Sequence, residues 1–582
     1  MADQPAADAL RQRYLAERDR RLSPDRGHYT YLDGDLAERF DRDPWAATDG
    51  ARAPVTREVE VAIAGGGFAG LIAGANLRQH GLTPEDVCII ERGSDFGGTW
   101  YWNRYPGLSC DTESYIYLPL LEETGYVPSE KYAKGPEIWE HSRRIARQFD
   151  LYDGALLQTR ALDAQWDEER TRWIVRTDRG DEIRARFLFL CGGGTSRPKL
   201  PGIAGITDFK GHAFHTMRWD YGYTGGGPEG NLVNLKDKRV ALVGTGASAI
   251  QAVPPLAEWA QHLTVFQRTP SAVNVRANRP TDPQWAAQLK PGWQAERMEN
   301  FLAITSGYAR EVDLVDDGWT EGHFNVLRLF GGEQLPHDVQ ARADIAFMNG
   351  VRARVDAHVA DRATAEALKP WYGLFCKRPT FHDGFLDTFN RPNVTLVDTQ
   401  GRGIERITER GIVADGREHQ LDCIVFATGF DLSFGMGLNP KGVGGIALTE
   451  RWTRELSTLH GLHVSEFPNM FVIGGFQSAL ATTFTYPLQV QTTHCARIVR
   501  HCRDKGLHRA EVTAEAARAW AQLIADQAVD VRDYFRACTP GYYNAEGGEP
   551  LFMQFYGGGP LAYTRLIDDW FDSDLETDFE LR

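Results

Sequence analysis

Two glycine-rich turns in the sequence have the spacing that binds the pyrophosphate of a dinucleotide. Gly65, Gly67 and Gly70 follow an apolar run and precede a helical pattern. The first glycine permits a tight turn, the second lets the pyrophosphate approach the backbone, and the third lets helix and strand pack closely. Glu91 lies about 20 residues further on, where an acid binds the adenosine ribose. This segment therefore predicts a nucleotide-binding βαβ unit.

A second turn repeats the pattern at Gly244, Gly246 and Ala249, with the permitted alanine in third place. The residue after the next strand decides which nucleotide fits. In the first unit this residue is acidic, and an acid would repel a ribose 2′-phosphate. In the second unit Arg268 follows the strand, and its charge would pair with such a phosphate. We therefore expect FAD in the first unit and NADPH in the second.

Two dinucleotide units in one chain indicate hydride transfer from NADPH to a flavin. The cysteines limit the possible electron acceptors of the flavin. The chain has eight, and no two of them have C-x-x-C or C-x₄-C spacing. Disulfide reduction is thereby excluded, and O₂ is the remaining common acceptor, which makes the chain a monooxygenase candidate. The same cysteine pattern predicts no metal site and reduced thiols in a cytoplasmic protein.

Composition excludes other classes. The chain has 582 residues, with Lys+Arg 64 and Asp+Glu 79, a net charge of −15 that argues against a nucleic-acid or anionic-membrane partner. No apolar run approaches the roughly 18 residues of a membrane helix. We expect a small-molecule substrate and a monomer or weak homo-oligomer.

The element pattern predicts an α/β fold with two Rossmann-type dinucleotide-binding domains, for FAD and NADP, and a mainly helical insertion. Buried-strand patterns occur at residues 58–64, 87–90, 239–243, 263–266, 421–426 and 470–473. The predicted division is an N-terminal extension at 1–57, a first FAD part at 58–198, and an NADP domain at 199–400 with the insertion at about 275–370. The second FAD part and a helical tail would occupy 401–582.

Two long motifs then resemble one family. Phe209–Asp220 fits F-x-G-x-x-x-H-x-x-x-W-[PD], with its histidine at His215, and Gly97–Asp111 fits [AG]-G-x-W-x₄-[FY]-P-[GM]-x₃-D. Both are similar to signatures of the type I Baeyer–Villiger monooxygenases, and Cys376–Pro379 and Ala427–Asp431 also resemble family segments. The resemblance covers essentially the whole chain after the extension.

The resemblance implies a reaction and its residues. NADPH reduces FAD, a C4a-peroxyflavin forms with O₂, and its attack on a ketone gives an ester or lactone. Arg378 is implied as the cation that stabilises the developing negative charge, and Asp111 as the residue that holds it. Lys377 and Arg268 match positions near the NADPH phosphate, and we interpret His215 as an interdomain structural residue. The predicted cofactor-binding residues are Gly65, Gly67, Phe68, Gly70, Glu91, Gly98, Thr99, Trp100, Asp111, Tyr117, Gly244, Gly246, Ser248, Ala249, Arg268, Thr269, Lys377 and Arg378.

The substrate is less closely defined by the sequence. The charged N-terminal extension and the segment 538–547 resemble the family branch that acts on bulky cyclic, polycyclic or terpenoid ketones. Two alternatives stay open: a heteroatom-oxidising enzyme, N-hydroxylating or sulfoxidising, on the same fold, and a flavin-binding protein without turnover.

Overall fold

The computed structural model describes residues 4–22, 29–30, 32–46, 52–325, 336–431, 437–528, 531–548 and 554–582. Parts of the predicted N-terminal extension and residues 326–335 of the predicted helical insertion lie outside the described residues. The described strands are β1 (Tyr29–Thr30), β2 (Thr56–Ala64), β3 (Val87–Ile90), β4 (Ala155–Leu156), β5 (Ala161–Asp167), β6 (Arg172–Thr177), β7 (Glu182–Leu190), β8 (Leu200–Pro201), β9 (His212–His215), β10 (Arg239–Val243), β11 (His262–Gln267), β12 (Val273–Asn274), β13 (Thr380–Phe381), β14 (Val394–Asp398), β15 (Arg406–Thr408), β16 (Gly411–Ala414), β17 (Arg417–Gln420), β18 (Cys423–Phe426), β19 (Met470–Val472), β20 (Ala510–Val512) and β21 (Phe579–Leu581).

The α-helices follow in the same order along the chain. The described helices are α1 (Gln4–Arg21), α2 (Gly34–Phe40), α3 (Phe68–Gln79), α4 (Thr99–Trp102), α5 (Ser114–Tyr117), α6 (Leu121–Thr124), α7 (Gly135–Gln148), α8 (Tyr221–Thr224), α9 (Ala247–Trp259), α10 (Pro283–Ala286), α11 (Trp293–Thr305), α12 (Gly318–Asn325), α13 (His337–His358), α14 (Arg362–Leu368), α15 (Phe385–Thr388), α16 (Leu448–Arg454), α17 (Thr485–Asp504), α18 (Ala514–Gln527), α19 (Arg532–Arg536), α20 (Pro560–Ser573) and α21 (Leu575–Asp578).

The first glycine turn belongs to a seven-stranded sheet with the order β4-β3-β2-β7-β6-β5. The seventh strand, β19, pairs with residues 188–190 of β7. The strands β4, β3, β2, β7 and β19 are parallel, and β5 and β6 continue the sheet as an antiparallel extension. Val61, Ala62 and Ile63 in β2 are fully buried, as expected for a parallel strand covered on both faces. The helices α3 and α17 pack together beside this sheet.

The second glycine turn belongs to a five-stranded parallel sheet with the order β14-β11-β10-β18-β9. This sheet corrects the predicted boundary at residue 400. The strand β18 pairs with β10, so that Val240 lies opposite Cys423, and the second unit therefore continues beyond residue 400. The pattern of a buried strand shows only that β18 is buried, and not which of two similar sheets it joins.

The helical insertion has a core of its own. From α10 to α14 the described chain is largely helical, as predicted, and it packs around Phe301, Met348 and Trp319. The tail after α17 is also mainly helical, although β20 and β21 form a short antiparallel pair near the end of the chain.

The N-terminal extension lies against the second unit. The strand β1 pairs with β8, so that Tyr29 lies opposite Pro201, and Arg21 at the end of α1 donates to the Thr269 hydroxyl at 3.1 Å. Within the described ranges, no helix combines the length and the apolar character that crossing a bilayer requires.

A disulfide joins Cys376 and Cys538, which are 162 residues apart in sequence. The prediction that the thiols are reduced was wrong for this pair. The prediction rested on short cysteine spacings, and such spacings carry no information about a bond between two distant loops. The six cysteines that are free in the described structure are all buried.

Candidate active site

The first glycine turn has a backbone that only glycine tolerates. Gly65 has φ +115°, and a Cβ there would lie 2.5 Å from the Cys191 carbonyl oxygen. A Cβ on Gly70 would lie 1.9 Å from the Gly65 carbonyl oxygen. The third glycine is therefore required by helix packing, as the sequence predicts, and Gly67 precedes α3 as its N-cap.

Glu91 lies at the end of β3 and reaches back to this turn. Its carboxylate accepts the backbone N–H of Gly66 and of Gly93, each at 2.6 Å. Burial raises the pKa of Glu91, and the two backbone donors oppose that shift. The acid thus lies beside the glycine turn, where a ribose hydroxyl would meet it.

A second glycine, Gly98, packs directly against the first turn. A Cβ on Gly98 would lie 2.7 Å from the Cα of Gly67, so the two backbones form a narrow cradle without side chains. The helix α4 follows, and its Thr99 hydroxyl lies 2.6 Å from that of Thr195. Trp100 in α4 donates its indole N–H to the Tyr117 hydroxyl at 3.2 Å. Both turns therefore present backbone rather than side chains to the cavity, where a pyrophosphate would bind.

The second turn has the same construction. Gly244 has φ +117°, and a Cβ there would lie 2.5 Å from the Ala427 carbonyl oxygen. Gly246 is the N-cap of α9, and nothing lies within 4 Å of the position that its Cβ would take. Space for a ligand is therefore left at the helix N-terminus, which attracts phosphate. Ala249 is buried in α9.

The residues after β11 lie beside this turn. The Arg268 guanidinium forms an ion pair with Glu546 at 3.4 Å. The Thr269 carbonyl accepts the Thr245 hydroxyl at 2.8 Å, which connects the end of β11 to the glycine turn. Lys377 is turned towards another loop, because its ammonium donates to the Pro540 carbonyl at 2.8 Å. The predicted role of Lys377 at the NADPH phosphate stays a prediction.

Arg378 and Asp111 form the ion pair that the sequence predicts. The Arg378 Nη2 lies 2.5 Å from the Asp111 Oδ1, although the residues are 267 positions apart. Trp319 supports the pair, because its indole N–H donates to the Asp111 carbonyl at 2.6 Å and its ring lies 5.4 Å from the guanidinium carbon. The arginine is therefore held on two sides.

The residues around Arg378 keep its guanidinium protonated. Burial alone would lower the pKa of Arg378, but Asp111, Tyr542 and Tyr543 raise it well above its ordinary value. The Nε of Arg378 is buried and has no hydrogen-bond partner among the described residues. A buried donor without a partner is costly, so this atom fits a site that a bound ligand completes.

One cavity of about 1400 Å³ connects the two turns with the Arg378–Asp111 pair. This exceeds the roughly 300–1,000 Å³ of a pocket for one drug-sized ligand, so more than one ligand can be held together. Gly70 and Ala249 do not line the cavity, in agreement with their packing role. The predicted residues that line it are Gly65, Gly67, Phe68, Glu91, Gly98, Thr99, Trp100, Asp111, Tyr117, Gly244, Gly246, Ser248, Arg268, Thr269, Lys377 and Arg378.

Sequence reasoning missed the contact that joins the two units. The Tyr105 hydroxyl donates to the Gln251 side-chain carbonyl at 2.9 Å, and the Gln251 amide donates to the Ser109 carbonyl at 2.9 Å. All three residues are buried. The only available signal was that Tyr105 lies inside a family-like motif, while Gln251 in α9 belongs to no motif.

His215 is fully buried at the end of β9, where it lies opposite Phe426 of β18. Burial and the nearby Arg218 lower the pKa of His215 to about 3. Its Nδ1 accepts the Met217 N–H at 3.1 Å. His215 does not line the cavity, so its geometry fits the structural role expected from the sequence.

A second group of histidines, here called the histidine cluster, consists of His460, His463 and His494. The three are buried, and one ring nitrogen of each lies within 4.8 Å of the others. Burial lowers the pKa of all three, and Arg497 lowers that of His494 further. The His460 ring packs edge-on against Trp520 and Trp570. The predicted absence of a metal stays a prediction.

Comparison with known proteins extends over the whole chain. Residues 63–125 match the family model of an NAD(P)-binding Rossmann-like domain. The chain is 48% identical to neopentalenolactone D synthase of Streptomyces avermitilis, over 99% of each chain. It is also 48% identical to a Baeyer–Villiger monooxygenase of Streptomyces coelicolor, over 98% of this chain and 96% of the relative.

The chain belongs to the Baeyer–Villiger monooxygenase family. This confirms the predicted family, and with it the reaction class, as well as the fold of two dinucleotide-binding units. Among solved structures, polycyclic ketone monooxygenase of the fungus Thermothelomyces thermophila superposes with a TM-score of 0.92, at 36% identity over 99% of each chain. A steroid monooxygenase bound to NADP superposes with a TM-score of 0.74, at 30% identity over 90% of this chain and 99% of that one.

Proposed function

We propose that this Baeyer–Villiger monooxygenase uses FAD in the first unit and NADPH in the second to oxidise a bulky cyclic or polycyclic ketone to an ester or lactone. The observation that carries the proposal is the Arg378–Asp111 ion pair in a cavity that both glycine turns line. A fixed cation in this position is suited to an oxygen that becomes negatively charged during the reaction.

The residues present fit both cofactors. The cradle of Gly67 and Gly98 and the carboxylate of Glu91 would hold the FAD pyrophosphate and adenosine ribose. The turn at Gly244 with Arg268 would hold NADPH. When bound, the flavin supplies the transfer of electrons from NADPH to O₂. Both cofactor assignments agree with the crystal structures of a related monooxygenase complexed with FAD and NADP.

The chain's own residues then do three things. Arg378 keeps its charge at all physiological pH values and would stabilise the oxygen on which negative charge develops. Asp111 fixes the direction of the guanidinium, and Trp319 holds Asp111 in turn. Trp100 and Trp102 of α4, together with Tyr105, line the site with aromatic surface, which would exclude water and strengthen the electrostatic interaction.

The proposed substrate class rests on the relatives. One relative is named for a lactone, neopentalenolactone D, and a structural neighbour is named for polycyclic ketones. The cavity is large enough to agree with such a substrate. We also propose a monomer or weak homo-oligomer, because a net charge of −15 favours solubility over self-association. Light scattering on the purified enzyme tests this state.

A ketone panel tests the proposed function. The FAD-loaded enzyme receives NADPH, O₂ and ketones of increasing ring size, from cyclohexanone to a tricyclic ketone, and products are identified by mass. We expect a gain of one oxygen atom, with kcat/KM rising towards the polycyclic ketones. A preference for small monocyclic ketones refutes the substrate class. Oxidation of amines or sulfides without any ester or lactone refutes the reaction assigned to this site.

A further inference from the structure

Three distant parts of the chain meet around Arg268. Tyr29 comes from the N-terminal extension, Lys199 directly precedes β8, and Glu546 comes from the loop at 541–548. The Arg268 Nη2 lies 3.4 Å from the Glu546 Oε2, and the Tyr29 hydroxyl donates to the Glu546 Oε1 at 3.3 Å. The Lys199 ammonium lies 3.2 Å from the centre of the Tyr29 ring. All four residues line the cofactor cavity.

The charges in this group are unequal. Arg268 and Lys199 contribute two cations, and Glu546 contributes the one carboxylate that Arg268 and Tyr29 contact there. Glu546 thus uses the donors of Arg268 and Tyr29 that a phosphate would also use. A phosphate and a carboxylate accept the same charge-assisted hydrogen bonds, so they compete for these donors.

We propose that Tyr29 and Glu546 set the affinity of this enzyme for the 2′-phosphate of NADPH, with Tyr29 as a second donor and Glu546 as the counter-anion that the phosphate displaces. The inference rests on the proposed function, in which Arg268 binds that phosphate. A cofactor with only a 2′-hydroxyl carries no charge at this position that could displace the carboxylate. Tyr29 and Glu546 therefore act on the phosphate and leave the rest of the nucleotide unaffected.

The structure explains why Glu546 can leave while Tyr29 stays. Tyr29 belongs to β1, which β8 holds next to Lys199. Glu546 lies at a loop tip where Ala545 (φ +45°) and Glu546 (φ +59°) both adopt left-handed backbone conformations that non-glycine residues rarely take. The Glu546 side chain is 31% exposed, so water can receive its charge.

The base of the same loop is anchored. Cys538 forms a disulfide with Cys376, and the Pro540 carbonyl accepts a hydrogen bond from the Lys377 ammonium at 2.8 Å. The Gly541 N–H donates to the Asn544 side chain at 2.9 Å. A movement of Glu546 therefore requires only the tip of the loop to change, and Tyr542 and Tyr543 can remain beside Arg378.

The test measures binding of two small probes to the full-length, FAD-loaded enzyme by titration calorimetry at pH 8 and low salt. Adenosine 2′,5′-bisphosphate carries the 2′-phosphate, and adenosine 5′-monophosphate lacks it. We expect Glu546→Gln to raise the affinity for the bisphosphate about three- to fivefold, as for removal of one partly exposed charge. Tyr29→Phe should weaken the bisphosphate about tenfold, the loss of one hydrogen bond to a charged group. Neither variant should change the monophosphate.

Glu405→Gln is the matched control, because Glu405 lines the same cavity but accepts the Gly416 N–H instead of contacting Arg268. It should leave both probes unchanged. The inference is overturned if Glu546→Gln leaves the affinity for the bisphosphate unchanged or lowers it. It is also overturned if Tyr29→Phe leaves that affinity unchanged, or if the affinity for the monophosphate changes in parallel. Arg268→Ala separates the two proposals: if it does not weaken the bisphosphate, the proposed NADPH site itself fails. Flavin absorbance and the melting temperature verify that each variant is folded.

Discussion

Arg378 provides the sharpest test of the active site. In Arg378→Ala, the cavity loses a fixed cation, and the buried Asp111 carboxylate is left without its partner at 2.5 Å. Removal of one preorganised group of this kind costs about 2.7–4 kcal/mol, or roughly a hundred- to a thousandfold in rate. We expect the upper end of this range, because the remaining carboxylate also repels negative charge on the reacting oxygen.

Arg378→Lys divides this effect into charge and geometry. Lysine retains the charge but not the planar fork, so it can satisfy Asp111 or the reacting oxygen but not both in the same way. We expect a rate between that of Arg378→Ala and that of the unmodified enzyme. Asp111→Asn should be milder than Arg378→Ala, since the cation remains but loses its fixed direction.

The assay follows three quantities in one reaction: NADPH consumed, ester or lactone formed, and hydrogen peroxide released. Arg378→Ala should bind FAD and consume NADPH, form little or no oxygenated product and release peroxide. Arg402→Ala is the control, because Arg402 lines the same cavity but pairs with Asp415. Product formation by Arg378→Ala at a near-native rate would refute the role of this arginine.

Three further outcomes follow from buried groups. His215→Ala should weaken NADPH binding or raise peroxide release without abolishing product, because His215 lies outside the cavity; normal flavin reduction with no oxygenated product would contradict this. The histidine cluster is neutral in the folded state, whereas unfolded histidines have a pKa of about 6.5, so the unfolded chain binds more protons below that pH. The free energy of unfolding should therefore fall as the pH drops below about 6.5, by up to about 4 kcal/mol per pH unit, and denaturant melts of His494→Gln should show about a third less of this slope. The Cys376–Cys538 bond closes a loop of 162 residues, so its reduction should lower the free energy of unfolding by about 2–5 kcal/mol. Dithiothreitol should destabilise the unmodified enzyme but not Cys538→Ser. Equal melting temperatures of the unmodified enzyme with and without reductant would count against the bond.

The sequence allowed the turns and the ion pair to be predicted because their chemistry is local or carried by motifs. The backbone of Gly65 and the packing of Gly70 follow from the spacing of Gly65, Gly67 and Gly70, and the geometry agrees. The ion pair of Arg378 with Asp111 spans 267 residues, and no spacing rule could have found it. It was predicted only because each residue lies in a segment that resembles the family.

What the sequence could not provide is the pairing of distant segments outside motifs. The strand β18 has the same apolar pattern as a strand of either sheet, and only its pairing with β10 assigns it to the second unit. Cys376 and Cys538 are likewise 162 residues apart, and neither belongs to a motif that points to the other. Glu546 could not be placed beside Arg268 either, because ion pairs between distant polar residues leave no periodic pattern.

The Arg378–Asp111 pair depends on the arrangement of the two nucleotide units. Asp111 ends the segment that begins at Gly97, and Tyr105 in that segment is hydrogen-bonded to Gln251 in α9 of the second unit. Arg378 follows the helical insertion of the second unit and reaches the same cavity from the other side. A shift of one unit against the other would therefore break the ion pair, because a contact of 2.5 Å tolerates little displacement. The cation that we propose for the reaction is thus in place only when the two nucleotide turns face one cavity, which ties the position of Arg378 to the observed arrangement of the two units.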